Sequence, residues 1–386
     1  MIKGWCCAHK RWHAGNGFPI CKPSSPKFIG DPKAHFMQNA LDTVPGFFAV
    51  RSRTAASSLR VLLAAGLMLA MAPAAARAQL SDPMADGGGG GITAIEEAIL
   101  GPSRTPPDRP KSPNEPARTP EQKAKELEEE SRLHLSFNVD FTNMYIIRGY
   151  MQESGGFIVQ PSAVVNYDVY KSQDLILTAN FGTWSSFHDR RTNAKKENSF
   201  KAAWYEADYT AGLSATMGEF TVGLNYAWYT SPSGAFSETQ ELLVAASYDD
   251  SKLLGAFAVK PTVLFAFETG VGTSDGFDRG TFCQFGISPG IDLPVSDAWV
   301  PRLELPVNIG LSLNNYYQEP GSREDETFGF VTVGPRLSMP LPFGDGFGTW
   351  KLTAAATWWF LGDHVSQFND KDDTEVQISV GVSVSF

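Results

Sequence analysis

Cysteine is scarce here, and most of it lies at one end. Of four cysteines, Cys6, Cys7 and Cys21 fall early, which leaves Cys283 alone in the remainder. A mature chain without the first segment therefore has no internal disulfide, and no spacing of the zinc type exists. Long apolar runs are also missing: the best, 61–71, has eleven residues, against about 20 for a spanning helix. Histidine is rare too. Beyond position 78 only His134, His188 and His364 remain, and none sits in a local pattern with serine that suggests a triad, which needs a base held by a third group. No catalytic residue and no cofactor are expected. Nor is there a basic surface. The first 78 residues carry ten Lys/Arg against Asp31 and Asp42, whereas the rest carries 22 basic and 40 acidic residues, a net of −18. Such a surface repels phosphate backbones, which excludes nucleic acid as a partner.

What is present begins with an address. Arg51, Arg53 and Arg60 precede the apolar run 61–71, and the small residues ending Ala76-Arg77-Ala78 complete a secretory signal (51–78) with cleavage after Ala78. Residues 1–50 have no clear periodicity, which fits an over-extended gene start with Met37 as initiator, or else an unusually long basic lead. From 79 to 132 there is no strand pattern. An unbroken glycine run at 87–91 is flexible, and prolines from Pro102 to Pro120 make a polyproline-like spacer. This is a periplasmic linker, or its apolar turn 92–100 folds back to gate a lumen.

From 133 to 386 a period of two recurs. Twelve strands are expected, over 133–142, 157–169, 175–183, 205–215, 220–228, 241–248, 257–267, 283–293, 303–313, 331–339, 350–360 and 376–386. The last is the clearest. Val376, Ile378, Val380, Val382, Val384 and Phe386 share one face, and Gln377, Ser379, Gly381, Ser383 and Ser385 the other, because successive side chains of a strand alternate.

Two regularities favour a membrane barrel over a sandwich. No Asp, Glu, Lys or Arg takes an outward position on this parity, where Arg or Lys facing lipid would cost about 2–4 kcal/mol. Connections also alternate, short at 171–174, 218–219, 249–252, 294–297 and 343–348, and long elsewhere. The fold class expected is all-β: a transmembrane antiparallel up-and-down barrel of twelve strands with periplasmic termini. Tyr167, Phe220, Tyr248, Phe257, Trp350 and Phe386 near the turns, and Phe141, Phe181, Tyr205, Trp228, Phe267, Trp358 and Phe360 near the loops, read as two aromatic girdles.

Y-I-I-R-G at 145–149, Y-E-A-D-Y-T-A-G at 205–212, G-L-N-Y-A-W-Y-T-S-P at 223–232 and the Phe-terminated last strand resemble the TorF-like porin family of bacterial outer membranes. The resemblance covers 133–386 and implies a pore-forming barrel, with no catalytic or substrate residue to carry over. The Pro-rich leader departs from it. The terminal Phe386 resembles the signal read by the barrel-insertion machinery.

The inward face offers Asp140, Asp168, Glu206, Asp208, Glu241, Glu268 and Glu375 as pore-lining acids, joined by Asp292 and Glu304, against Lys260, Arg302, Arg336 and Lys351. Carboxylate rings favour cations in a wet pore. Arg148 and Arg336 are candidates for a charged constriction, or structural partners of lumen carboxylates. The expected function is passive diffusion of small, cation-leaning solutes across the outer membrane. The alternative is an occluded structural or adhesive barrel. Asp363, His364, Asp370, Asp372, Asp373 and Glu375 cluster in the last loop without the spacing of a calcium hand, so no metal site is expected there. Divalent ions bridging these acids to lipopolysaccharide are a milder option. Outer-membrane lipids are the expected surroundings.

Overall fold

A computed structural model of the chain describes residues 131–190, 192, 200–296, 299–343 and 348–386. The signal, the segment before it and the linker as far as residue 130 lie outside the described residues. Twelve wall strands follow in chain order: β1 Leu133–Thr142, β2 Ile158–Lys171, β3 Ile176–His188, β4 Trp204–Met217, β5 Phe220–Thr230, β6 Thr239–Tyr248 and β7 Thr262–Glu268. Next come β8 (Thr281–Ile287, resumed at Gly290–Asp292), β9 (Arg302–Glu304, resumed at Val307–Asn314) and β10 (Phe328–Val333, resumed at Arg336–Leu341). β11 Thr349–Leu361 and β12 Thr374–Ser385 complete the set.

Each strand pairs antiparallel with the next, and β12 pairs with β1 through Phe137↔Val384 and Phe141↔Val380. The ring is closed, although the resumed segment Gly290–Asp292 pairs as a strand with Arg302–Glu304 alone, because β7 does not begin until Thr262. This closing pair and all twelve strands were legible in the alternation. Outward positions are apolar and open: Leu213, Leu224 and Leu313 each expose more than half of their surface. Exposed apolar rows of this extent are foreign to a water-soluble monomer.

β8, β9 and β10 are interrupted at one height by Pro289, Pro306 and Pro335. Proline has no N–H to give the ladder. Their carbonyls still accept, from Leu305 N at 2.9 Å, Gly334 N at 3.3 Å and Ala356 N at 3.1 Å respectively. A crease therefore crosses three neighbouring strands. Just on its turn side lies a buried ion pair, Arg336 Nη2 to Glu304 Oε2 at 2.9 Å, with Arg302 Nε donating to Glu304 Oε1 at 3.1 Å.

Two expectations need correction. Strand seven does not begin at 257. Residues Ser251–Leu254 form a helical turn and Gly255–Phe257 a 3-10 turn, so the connection after β6 is no short turn. The Asp250 carboxylate accepts from the backbone N–H of Val259 and of Lys260, which sits at φ 47°, and this capture prevents extension before Thr262. Lys260 is thus not a wall residue. Tyr205 also leaves its expected girdle. A bulge pairs Ser186 with Glu206 but Phe187 with Trp204, which turns the extra residue, Tyr205, inward, while Trp204 stacks outside on Phe187 at 5.6 Å.

The interior is not uniformly polar. Ile146, Tyr150, Leu243, Leu264, Phe282, Tyr316, Tyr317, Phe330 and Trp359 form one buried cluster toward the loop end. Full burial of each such side chain is worth about 1.5–3 kcal/mol by transfer.

Candidate functional site

The loop after β1 folds into the barrel mouth as a hairpin, Tyr145–Ile147 against Tyr150–Glu153. Its two-residue turn holds Arg148 at φ 47° and Gly149 at φ 91°, the left-handed pair that a tight hairpin demands. Glycine suits its half of that demand, and a Cβ there would also press on Val365 Cγ1 at 2.8 Å. Arginine does not suit the other half, so surrounding contacts must hold it.

Those contacts come from three elements. Arg148 Nη1 donates to Glu241 Oε1 at 2.6 Å and to Tyr316 Oη at 2.9 Å. Tyr317 Oη donates to the Arg148 carbonyl at 3.0 Å, and Asn369 Nδ2 donates to the Gly149 carbonyl at 2.6 Å. Tyr150 Oη donates to the Tyr316 carbonyl at 2.7 Å, and Met151 N donates to Asn369 Oδ1 at 2.8 Å. Arg148 is 3% exposed. Burial disfavours its charge, but Glu241, Tyr316 and Tyr229 outweigh that and push its pKa up.

The other acids fall into distinct settings. Glu206 and Asp208 are buried on β4, and Asp208 lies within the field of Glu206, Glu241 and Arg148. Glu268, opposite Glu241 on the neighbouring strand, is satisfied by the next loop, accepting from Ser274 N at 2.6 Å and Gly280 N at 2.7 Å. Asp140 accepts from Asn138 Nδ2 at 2.6 Å, and Asp168 from Thr178 Oγ1 at 2.9 Å, with His134 Nε2 at 3.6 Å. Lys351 and Glu375 are half-buried on β11 and β12.

Arg148 and Arg336 lie at different heights: Arg148 sits at the loop end, ion-paired with Glu241, and Arg336 nearer the turns, ion-paired with Glu304. Phe386 is exposed beyond β12, its backbone paired with Leu135 in both directions at 2.9 and 3.2 Å. The acids of the last loop do not converge: among the described residues no group of His, Cys, Asp or Glu is placed to hold a metal ion.

One arrangement escaped the sequence. Ser186 Oγ lies 2.8 Å from His188 Nε2, and His188 Nδ1 faces Glu153 Oε2 at 4.0 Å. The cue was a Ser-x-His step on one strand face, but its acid comes from the hairpin 35 positions away. Gln160 Nε2 donates to the serine oxygen at 3.2 Å, Tyr205 stacks on the imidazole at 4.4 Å, and all three members are at most 3% exposed. The contact to Glu153 is too long for a hydrogen bond, and the serine has no open face to offer a carbonyl.

No family model matches the chain, and no curated protein matches it. Among solved structures it is similar to an outer-membrane channel from Pseudomonas putida F1 (11% identity, 66% of this chain and 94% of that one, TM-score 0.37). It is also similar to the β domain of the Bordetella autotransporter BrkA (10%, 65% and 98%, TM-score 0.35) and to the NanC porin (9%, 65% and 98%, TM-score 0.32). Those values leave function to the chain's own side chains.

Proposed function

We propose that the protein is a porin-like channel of a bacterial outer membrane, passing small solutes passively and without catalysis. One observation carries this reading: a closed ring of twelve strands whose outward rows are exposed and apolar while its inward rows hold Asp140, Asp168, Glu206, Asp208 and Glu241. In water the outward rows are costly, and in hydrocarbon they are the favoured surface. The inward acids favour cations over anions. The TorF-like motifs support the same reading, as does the export signal at 51–78. Lipopolysaccharide around the long loops and the insertion machinery acting on Phe386 belong to it.

The buried hairpin favours a second reading, a permanently occluded structural barrel. Planar bilayers containing the refolded chain separate the two. Stepwise conductance with a cation-directed reversal potential is expected, rising when residues 145–153 are replaced by a short glycine linker. Silence of both proteins would establish the occluded barrel.

A further inference from the structure

The barrel mouth already holds a cation, and it is the chain's own. Both oxygens of Glu241 are engaged: Oε1 by Arg148 Nη1 at 2.6 Å, and Oε2 by Tyr229 Oη at 2.8 Å. The guanidinium carbon lies 4.8 Å from the centroid of Phe282 and 5.8 Å from that of Tyr316. Asp208, 2% exposed, lies within the field of Arg148 and hydrogen-bonds carboxyl to carboxyl with Glu206 on its own strand. Asp208 thus stands between two acids, Glu206 and Glu241, and within reach of the same arginine.

A carboxylate at the edge of a planar cation and aromatic rings on its faces make up the chemistry that recognises guanidinium and alkylammonium groups. A metal ion is a poor match, since no described cluster has the geometry for one. Arg148 is also a tethered occupant rather than part of the wall. It rides at the tip of a two-residue turn, in a left-handed conformation that an arginine adopts only under constraint. A free cation has to compete with this tethered one, so the site is most open to a solute once Arg148 is removed.

We propose that Glu241, Asp208, Tyr229, Phe282 and Tyr316 form a binding site for guanidinium- and amine-bearing solutes, with Arg148 as its resident stand-in. A solute that takes the place of Arg148 frees the hairpin tip and so unblocks the mouth. Binding stands on the site geometry alone; only passage of the solute rests on the channel reading.

Chemical rescue tests it on the refolded full chain, with barrel formation verified by heat-modifiable gel mobility. Arg148→Ala vacates the site and lowers Tm. Methylguanidinium chloride at tens of millimolar should then raise Tm by several degrees. Potassium chloride of equal ionic strength and acetamide should leave it unchanged, and Arg148→Ala/Glu241→Gln should not respond. Equal responses to all three additives, or an undiminished response in the double variant, would overturn the site. Should Arg148→Ala not refold, the wild-type chain serves: methylguanidinium, but not potassium, should speed amide exchange at 146–151, and no difference between the salts sinks the proposal. Bilayer currents report on the channel separately. Rescue with silent bilayers keeps the site and removes the channel, and conductance without rescue does the reverse.

Discussion

Arg148 Nη1 donates to Glu241 Oε1 at 2.6 Å, joining a hairpin tip to a wall strand 93 positions further along the chain. That contact is one of those that hold the first long loop inside the mouth. It gives the strained arginine at the apex a carboxylate in direct hydrogen-bond contact.

Removing either partner alone should therefore be expensive. Arg148→Ala or Glu241→Gln is expected to cost about 3–5 kcal/mol, since the surviving group stays buried and uncompensated. Arg148→Met/Glu241→Leu should recover most of that loss, because replacing a buried ion pair by apolar groups is often neutral. Urea unfolding in lipid vesicles, run as a double-mutant cycle, measures the coupling. Additive losses would mean that the two side chains do not act as a pair.

The wall makes a depth-dependent prediction. Leu224, more than half exposed in the middle of β5, should lose about 2–4 kcal/mol on substitution by arginine in a bilayer, and Phe257, in the turn-end helix, only about 0–1 kcal/mol. Equal costs at both positions in vesicle unfolding titrations would contradict an apolar band facing lipid.

Asp275 gives a pH dependence. Its carboxylate ties two mouth loops together, accepting from Phe277 N at 2.8 Å and Gln318 N at 3.3 Å, yet burial outweighs these bonds and raises its pKa. A carboxyl raised on folding contributes most below its ordinary pKa, and that contribution fades as pH climbs through the raised value. Amide protection at 275–280 and 316–318, corrected for intrinsic exchange, should thus weaken as pH rises out of the ordinary carboxylate range. Asp275→Asn should flatten that trend, and protection that instead grows with pH would refute it.

Ser186 should stay silent toward electrophiles. With Ser186, His188 and Glu153 covered and the Glu153 contact at 4.0 Å, a fluorophosphonate probe is expected to leave the refolded barrel unlabelled. Stoichiometric labelling lost in Ser186→Ala would reverse the non-catalytic reading.

The wall was legible in the sequence because its signal is local. β1 spans the expected residues, and the pairing of β12 with β1 follows from alternation and an even strand count. Lys260 and Tyr205 were misplaced because a side-chain capture by Asp250 and a single bulge each shift parity without a mark in the pattern. The filled mouth was hidden for a different reason. Leu243, Leu264 and Phe282 sit in stretches apolar on both faces, where alternation stops telling inside from outside. Y-I-I-R-G stood out as a motif within a long loop but not as a hairpin, because the contacts that fold it inward come from Glu241, Tyr316 and Asn369, partners 93 to 220 positions away.

The proline crease has a mechanical consequence. At the height of Pro289, Pro306 and Pro335 the ladder has lost donors in three adjacent strands, so bending stiffness there passes from the backbone to side chains. Arg336, clamped on Glu304 and reaching Ser288 Oγ at 3.3 Å, thus bridges all three strands across the crease from within, like a rivet across a fold line. Arg336→Met should let the ring flatten along this line, seen as faster amide exchange at 303–307 and 333–338 while β2 to β5 stay protected.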